Sequence, residues 1–347
     1  MAPELDPAEI RRIVVFRALV LGDLLCAVPA LRALRRAFPA AEITLVSLPW
    51  AAELAQRLSV VDRFVAFPGF PGLPEREPDL AALPSFLQSI QHARYDLALQ
   101  LHGSGQLVNP LVAAFGARHT AGFVVPGQYA PQPPLFAPWP VVGHEIERLM
   151  HLTDHLGLPR QGVHLEFPLT AADLTWRDQR LAAGSYVCVH PGAQMPSRRW
   201  PLERFAGVAD ALAHQGLRIV ITGTAGESAL AAELARRMRV HPLDLTGRTT
   251  LWQLGALVQG AALVVANDTG ISHVAAALGT RSVIVSSGAD PARWAPLNHE
   301  RHRVLAGSAP CRPCAHRVCP TAHECATAIA VDDVLRCAEE LLEPAHA

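Results

Sequence analysis

The sequence predicts an α/β protein made of two doubly wound, parallel-sheet domains, and three observations lead there. The chain has 347 residues, 50% of them hydrophobic. That is too long for one ordinary core and suits two domains of roughly 150 to 170 residues. Short Val/Ile/Leu runs alternate with stretches of helical spacing. The runs are continuous, as expected of strands buried on both faces. The alternation lapses near residue 160 and restarts near residue 185. What recurs is the architecture; there is no fixed-period repeat.

The elements follow in order. RIVVFRALVL (12–21) reads as a buried strand, then Gly22-Asp23, then a helix from about Leu24 to Phe38. EITLVSL (42–48) is the next strand, AAELAQRL a helix and VDRFVAF a strand. YDLALQLHG (95–103) is a further strand ending in a polar turn. Two proline-rich segments, 67–84 and 125–140, can form neither a regular helix nor a central strand and read as surface loops. HEIERLMHLTDHLGLP (144–159) is a helix stopped by Gly157 and Pro159. A connector with a short helix spans 160–184. The second half repeats strand and helix in SYVCVHPGA, LERFAGVADALAHQG, LRIVITGT, AGESALAAELARRM, ALVVAND and TRSVIVSSG. The domains fall at 1–170 and 171–347, with the final helix free to pack back on the first. A cleft between two such domains is expected.

The formal net charge is -1, so the basic excess of a nucleic-acid binder is absent. No apolar run reaches the ~20 residues that span a bilayer. The best candidate is interrupted by Arg17 and Asp23. The opening MAPELDPAEIRR has acids before its arginines and no apolar stretch, unlike a secretory signal. A cytoplasmic protein is expected, with room for peripheral membrane contact.

In open α/β sheets, ligands bind beyond the carboxyl ends of the strands, so chemistry is sought there. In the first domain, Asp23 follows a glycine turn, as a helix-capping aspartate or as a general base. His102, Gly103 and Ser104 end another strand. In the second domain, Gly192 and Ala193 let the chain approach a ligand, and Arg198 and Arg199 supply charge. Gly223, Thr224, Gly226 and Glu227 form a strand-to-helix turn whose amides suit phosphate or ribose oxygens. In VVANDTGISHVAAALGT, Asp268, Thr269 and Gly270 begin a helix at its positive end. His273 lies one turn on and can add a donor. Ala275, Ala276 and Ala277 let that helix lie close to the sheet. Glycine spacing in LGDLLCA lacks the G-x-G-x-x-G pattern of a dehydrogenase.

Cys26, Cys188 and Cys337 stand alone among apolar residues and read as core. Cys311, Cys314, Cys319 and Cys325 cluster as C-x2-C-x4-C-x5-C, with His316 and His323 interspersed. Reduced structural thiols, a structural zinc, and a disulfide or Fe–S ligand set all stay open. A cytosolic location disfavours the disulfide.

GDLLCAVPALRALRRAFPAAEITLV, HPGAQMPSRRWPLERFAGVADAL, DLTGRTTLWQLGALVQGAALVVANDTGISHVAAALGT and the CxxC-containing tail, in this order, resemble glycosyltransferase family 9, the ADP-heptose:lipopolysaccharide heptosyltransferases. The resemblance spans nearly the whole chain. It implies a GT-B fold, two Rossmann-like domains facing across a cleft, with an N-terminal acceptor domain and a C-terminal nucleotide-sugar domain. It implies inverting transfer that needs no cofactor and no catalytic metal, from ADP-heptose to an inner-core lipopolysaccharide acceptor, with peripheral inner-membrane contact. Carried over by position, Asp23 is the base, Asp268, Thr269, Gly270 and His273 hold the diphosphate, and Glu227 contacts the nucleoside. Arg198 stands where the family has lysine in K-x-W-P. A planar fork replaces a point charge there, which leaves another nucleotide sugar or glycan open as a reading. A sugar-nucleotide-binding protein without catalysis is the reading from another class. His102, Arg32, Arg35 and Arg36 are candidates for docking an anionic glycolipid, although helix arginines are commonly just solvated.

Overall fold

RIVVF forms β1 (Arg12–Phe16), in which every residue but Arg12 is buried. The apolar run continues to Leu21, yet the strand stops at Phe16 and α1 (Leu21–Ala37) already begins at Leu21. Hydropathy could not mark this boundary, because Leu19, Val20 and Leu21 carry the apolar run across it although Val20 is exposed. Gly22 and Asp23 therefore sit inside the first turn of α1 rather than in a turn ahead of it. A computed structural model describes residues 5–343, and the chain divides between Pro168 and Leu169 into two units.

In the first unit β2 (Glu42–Ser47), α2 (Ala52–Arg57), β3 (Arg63–Ala66), α3 (Leu83–His92), β4 (Leu97–Gln100), α4 (Val108–Ala113), β5 (His119–Val124), β6 (Phe136–Pro138) and α5 (Glu145–His155) follow. The sheet runs β3-β2-β1-β4-β5-β6 with all pairs parallel. The second proline-rich segment holds β6, placed at the sheet edge, where proline's missing N–H goes unused. Phe16, Phe67, Phe86 and Phe115 meet edge to face, with centroids 5.0 to 6.1 Å apart, and centre one layer of the core.

The second unit runs α6 (Ala171–Asp178), β7 (Tyr186–His190), α7 (Leu202–His214), β8 (Arg218–Ile221), α8 (Ser228–Arg237), β9 (Leu243–Asp244), α9 (Leu251–Gly260), β10 (Leu263–Asn267), α10 (Gly270–Leu278), β11 (Ser282–Val285), α11 (Pro291–Trp294), β12 (His302–Leu305), α12 (Glu324–Thr327) and α13 (Val331–Leu342). Its order is β12-β11-β10-β7-β8-β9, again all parallel. Read from its own first strand, this is the connectivity of the first unit. Trp200 and Phe205, 5.0 Å apart, anchor the core beside Val187, Val265 and Val283. The last helix, α13, buries Val334, Ala338 and Leu341 in this same core. Its apolar face is therefore used within the second unit.

Each sheet reverses its strand order once, between β1 and β4 and between β7 and β10. Such a switch point leaves two diverging loops at the carboxyl ends, and a crevice where ligands bind in α/β folds.

Candidate active site

At the first switch point β1 runs into Arg17. A lone arginine in an apolar run must find partners if it is buried, and Arg17 is 1% exposed. Its Nε donates to the Asp23 carbonyl at 2.7 Å and its Nη1 to the Leu101 carbonyl. Its Nη2 lies 3.3 Å from Glu145 Oε1 and 3.7 Å from Asp23 Oδ1. Arg148 meets the other Glu145 oxygen at 3.2 Å and lays its guanidinium over Trp139 at 4.3 Å. A buried chain of charges thus ties the end of β1 to α5 and pins the first turn of α1. Asp23 stands on that turn with its side chain 20% exposed, and Val20, not Asp23, is the N-cap residue.

His102 follows β4. Its Nδ1 accepts the Ala18 N–H at 3.2 Å, so in the neutral ring Nε2 carries the proton and donates to Glu75 Oε1 at 3.2 Å. Glu75 comes from the first proline-rich segment, which gives that loop a place at the site. Burial works to raise its carboxyl, but the His102 hydrogen bond and a backbone bond hold it below the usual range. Both ring nitrogens of His102 are engaged. Arg32 pairs with Glu166 and donates to the His164 carbonyl; Arg35 pairs with Asp62 and donates to the Ala41 carbonyl. These two arginines brace α1 against neighbouring segments, and Arg36 is the exposed member of the trio.

At the second switch point Asn267 ends β10. Its amide donates to the Pro191 carbonyl at 2.7 Å and accepts the Trp200 N–H at 2.9 Å, which holds the loop of Gly192 and Ala193 against the strand end. Arg199 Nε and Nη2 both donate to the Ala193 carbonyl, at 3.0 and 2.9 Å. Its charge thus stabilises the loop, a duty its neighbour Arg198 does not share. A Cβ on Gly192 would overlap the Glu227 carboxylate, so glycine here lets that carboxylate lie against the loop. Glu227 Oε2 accepts from Thr224 N at 2.7 Å and Thr224 Oγ1 at 2.9 Å. This capping box satisfies an amide that the sequence left free for a ligand.

α10 starts at Gly270 behind the N-cap residue Thr269, and no side chain caps its first turn. Its positive end is therefore open to an anion. Gly279, at φ 67°, closes the other end in the left-handed form that glycine adopts without strain. Asp268 Oδ2 accepts from Ser286 Oγ at 3.2 Å. Burial pushes the Asp268 carboxyl up to about 6, against the pull of Ser286, Arg198, Arg312 and Ser272. His273 is 6% exposed and stands edge-on to Trp294 at 6.1 Å.

The cysteine-rich segment threads through this region. Ser197 N donates to the Arg317 carbonyl at 3.2 Å and Ser197 Oγ to the His316 carbonyl at 2.5 Å. His323 Nε2 donates to the Ser197 carbonyl. Cys314 N donates to the Gly288 carbonyl, and Arg198 Nη2 to the Cys314 carbonyl at 3.4 Å. Cys311, Cys314, Cys319 and Cys325 are free thiols. Among the described residues no group of three His, Cys, Asp or Glu side chains is placed to hold a metal ion, although Cys311 and Cys319 lie near enough to Cys325 for their charges to act on its thiol. Cys26 and Cys188 are core residues, while Cys337 is half-buried against it.

Sequence reasoning missed Arg17, Glu145, Glu75 and Arg312. Arg17 carried one usable signal, a charge inside a buried run; the other three sit in polar or loop contexts with none. Among the described residues no helix is long and apolar enough to cross a membrane.

Two Rossmann-like units in one chain, each with polar residues at its switch point, define the GT-B class of fold. The family model described as glycosyltransferase family 9 (heptosyltransferase) matches residues 84–324, and the chain belongs to that family. It is 27% identical over 314 residues to lipopolysaccharide heptosyltransferase 2 of Escherichia coli K12, covering 82% of this chain and 86% of that one. Among solved structures it is similar to the family 9 glycosyl transferase of Veillonella parvula, with a TM-score of 0.82, 22% identity and 99% of each chain covered. It is also similar to the E. coli ADP-heptose lps heptosyltransferase II, with a TM-score of 0.73, 21% identity and 96% and 98% covered.

Proposed function

We propose that this chain moves a heptose from ADP-heptose to a hydroxyl of the lipopolysaccharide inner core, with inversion and without a metal ion. The observation that carries the reading is the placement of Asp23 at the first switch point, on a helical turn that buried Arg17 holds in place. Family membership and the name of the 27% identical relative support the sugar and the acceptor class. In this reading residues 1–170 take the acceptor and residues 171–347 the donor. A lipid-linked acceptor implies work at the cytoplasmic face of the inner membrane.

The acceptor oxygen bonds to the anomeric carbon while the bond from that carbon to the diphosphate oxygen breaks. The electron pair leaves with the phosphate, and the acceptor proton passes to the Asp23 carboxylate. Negative charge gathers on the leaving diphosphate, where the open N-terminus of α10 and Arg198 offset it. Glu227, locked by Thr224 against Gly192, meets the nucleoside. His102 and Glu75 belong to the acceptor side.

Mass spectrometry of product from ADP-heptose and a heptose-free core acceptor tests the reaction. Asp23→Asn should lower turnover by about 10²- to 10⁴-fold, the usual contribution of a positioned base, and leave ADP affinity within about threefold of the native value on the same grounds. A near-native rate in that variant would remove Asp23 from the role. One observation favours a different donor: a forked arginine at position 198 instead of lysine. Turnover across a panel of nucleotide sugars separates the two, and binding without product from any of them would mark a protein that has lost catalysis.

A further inference from the structure

The donor-phosphate region contains a second guanidinium, contributed by the cysteine-rich segment. Arg312 Nη2 donates to Ser286 Oγ at 3.0 Å and Nη1 to the Gly307 carbonyl at 2.6 Å. Ser286 is fully buried and its hydroxyl donates in turn to Asp268 Oδ2. The two bonds fix the orientation of the Arg312 fork and leave its remaining N–H groups available, since a guanidinium has five. Arg198 and Arg312 both lie near enough to Asp268 for their charges to act on its carboxyl. Two cations thus sit by the uncapped start of α10, where Asp268 acts on both and Asp290 also acts on Arg312.

Two further observations point to a ligand. Ser287, one residue past Ser286, is 1% exposed, and its Oγ has no hydrogen-bond partner among the described residues. The Nε of Arg198 is likewise buried without a protein partner. Buried polar groups are almost always bonded, so donors left over beside a helix N-terminus suit the oxygens of an anion.

We propose that Arg312 is a second phosphate-holding residue of the donor site, which together with Arg198 grips the diphosphate that leaves the sugar. This rests on the reading that the donor diphosphate lies at the start of α10. It also gives the cysteine-rich segment a role: the segment supplies Arg312, and its backbone holds the Ser197–Arg198 turn in place. In the transfer step the bond between sugar carbon and phosphate oxygen breaks, its electron pair stays on that oxygen, and the two guanidiniums stabilise the charge.

The test is calorimetric titration of ADP and of adenosine into the full chain and its Arg312→Met variant. Charge-assisted hydrogen bonds are worth enough that ADP should bind about 10- to 100-fold more weakly to the variant, while adenosine affinity stays unchanged. Turnover with saturating donor should fall as well. Arg312→Lys keeps the charge but loses the fork, and serves if the methionine variant does not fold; ADP should bind it several-fold more weakly, again with adenosine unchanged. If the native chain holds ADP no tighter than adenosine, the parent reading falls and this proposal with it. If the native chain prefers ADP and the Arg312 variants keep that preference within twofold, the proposal alone is overturned.

Discussion

Replacing Arg17 with methionine tests the buried charge chain that holds Asp23. Methionine fills a similar length without charge. The guanidinium is 1% exposed and serves two carbonyls, of Asp23 and Leu101, and the carboxylate of Glu145. Glu145 is itself 2% exposed and keeps Arg148 at 3.2 Å. Removing one partner from a buried ion pair costs about 3–5 kcal/mol because the other charge stays buried. The remaining Arg148 places the electrostatic loss at about 3 kcal/mol, the low end of that range. The two carbonyls that lose a donor add about 1 kcal/mol or more. Arg17→Met should therefore lose about 3–5 kcal/mol in urea unfolding followed by circular dichroism. The double variant Arg17→Met/Glu145→Gln should lose more, since Arg148, buried and 3.2 Å from Glu145, then loses that carboxylate and keeps the Pro140 carbonyl at 2.8 Å and the Trp139 ring. Transfer by the single variant, measured where it is still folded, should be slower because the first turn of α1 loosens. A single variant within about 0.5 kcal/mol of native, the usual range of a neutral surface change, would refute the reasoning. So would a double variant more stable than the single.

Gly192→Ala should displace the Glu227 carboxylate and break its two bonds to Thr224. The lost cap costs about 1 kcal/mol, and adenosine affinity should fall about tenfold, as the loss of one such contact implies; unchanged adenosine titration would count against Glu227 as a nucleoside contact. Asp268 predicts a pH effect. Its folded carboxyl titrates at about 6 against 3.8 unfolded, so the folded state holds the proton more tightly. This contribution to stability is complete below 3.8 and is lost as pH rises through about 6. At about 1.4 kcal/mol per pH unit the loss between pH 5 and pH 8 is about 1 kcal/mol. Asp268→Asn should show a flatter profile in that window, and identical profiles would exclude the assignment.

The sequence alone determined the layered architecture. Continuous apolar runs and helical spacing are local patterns, and a strand buried on both faces is unmistakable in them. Apart from the end of β1, the strand ends were legible for the same reason, because glycines and polar side chains collect where an apolar run stops. Asp23, Gly192, Asp268 and Thr269 were accordingly found at the switch points. Only tertiary structure decided what these residues touch. Arg17 reads as an interruption in hydropathy until Glu145, 128 positions away, is seen beside it. Arg32 and Arg35 read as a basic face until Glu166 and Asp62 arrive. The spacing of the four clustered cysteines left reduced thiols, a zinc site, a disulfide and an Fe–S ligand set open, and only the folded chain showed that the arginine between two of them reaches Ser286. Periodicity records which side of an element is buried. Pairing between distant segments is set by how loops close and which charges must be neutralised once water is gone, and no local pattern encodes that.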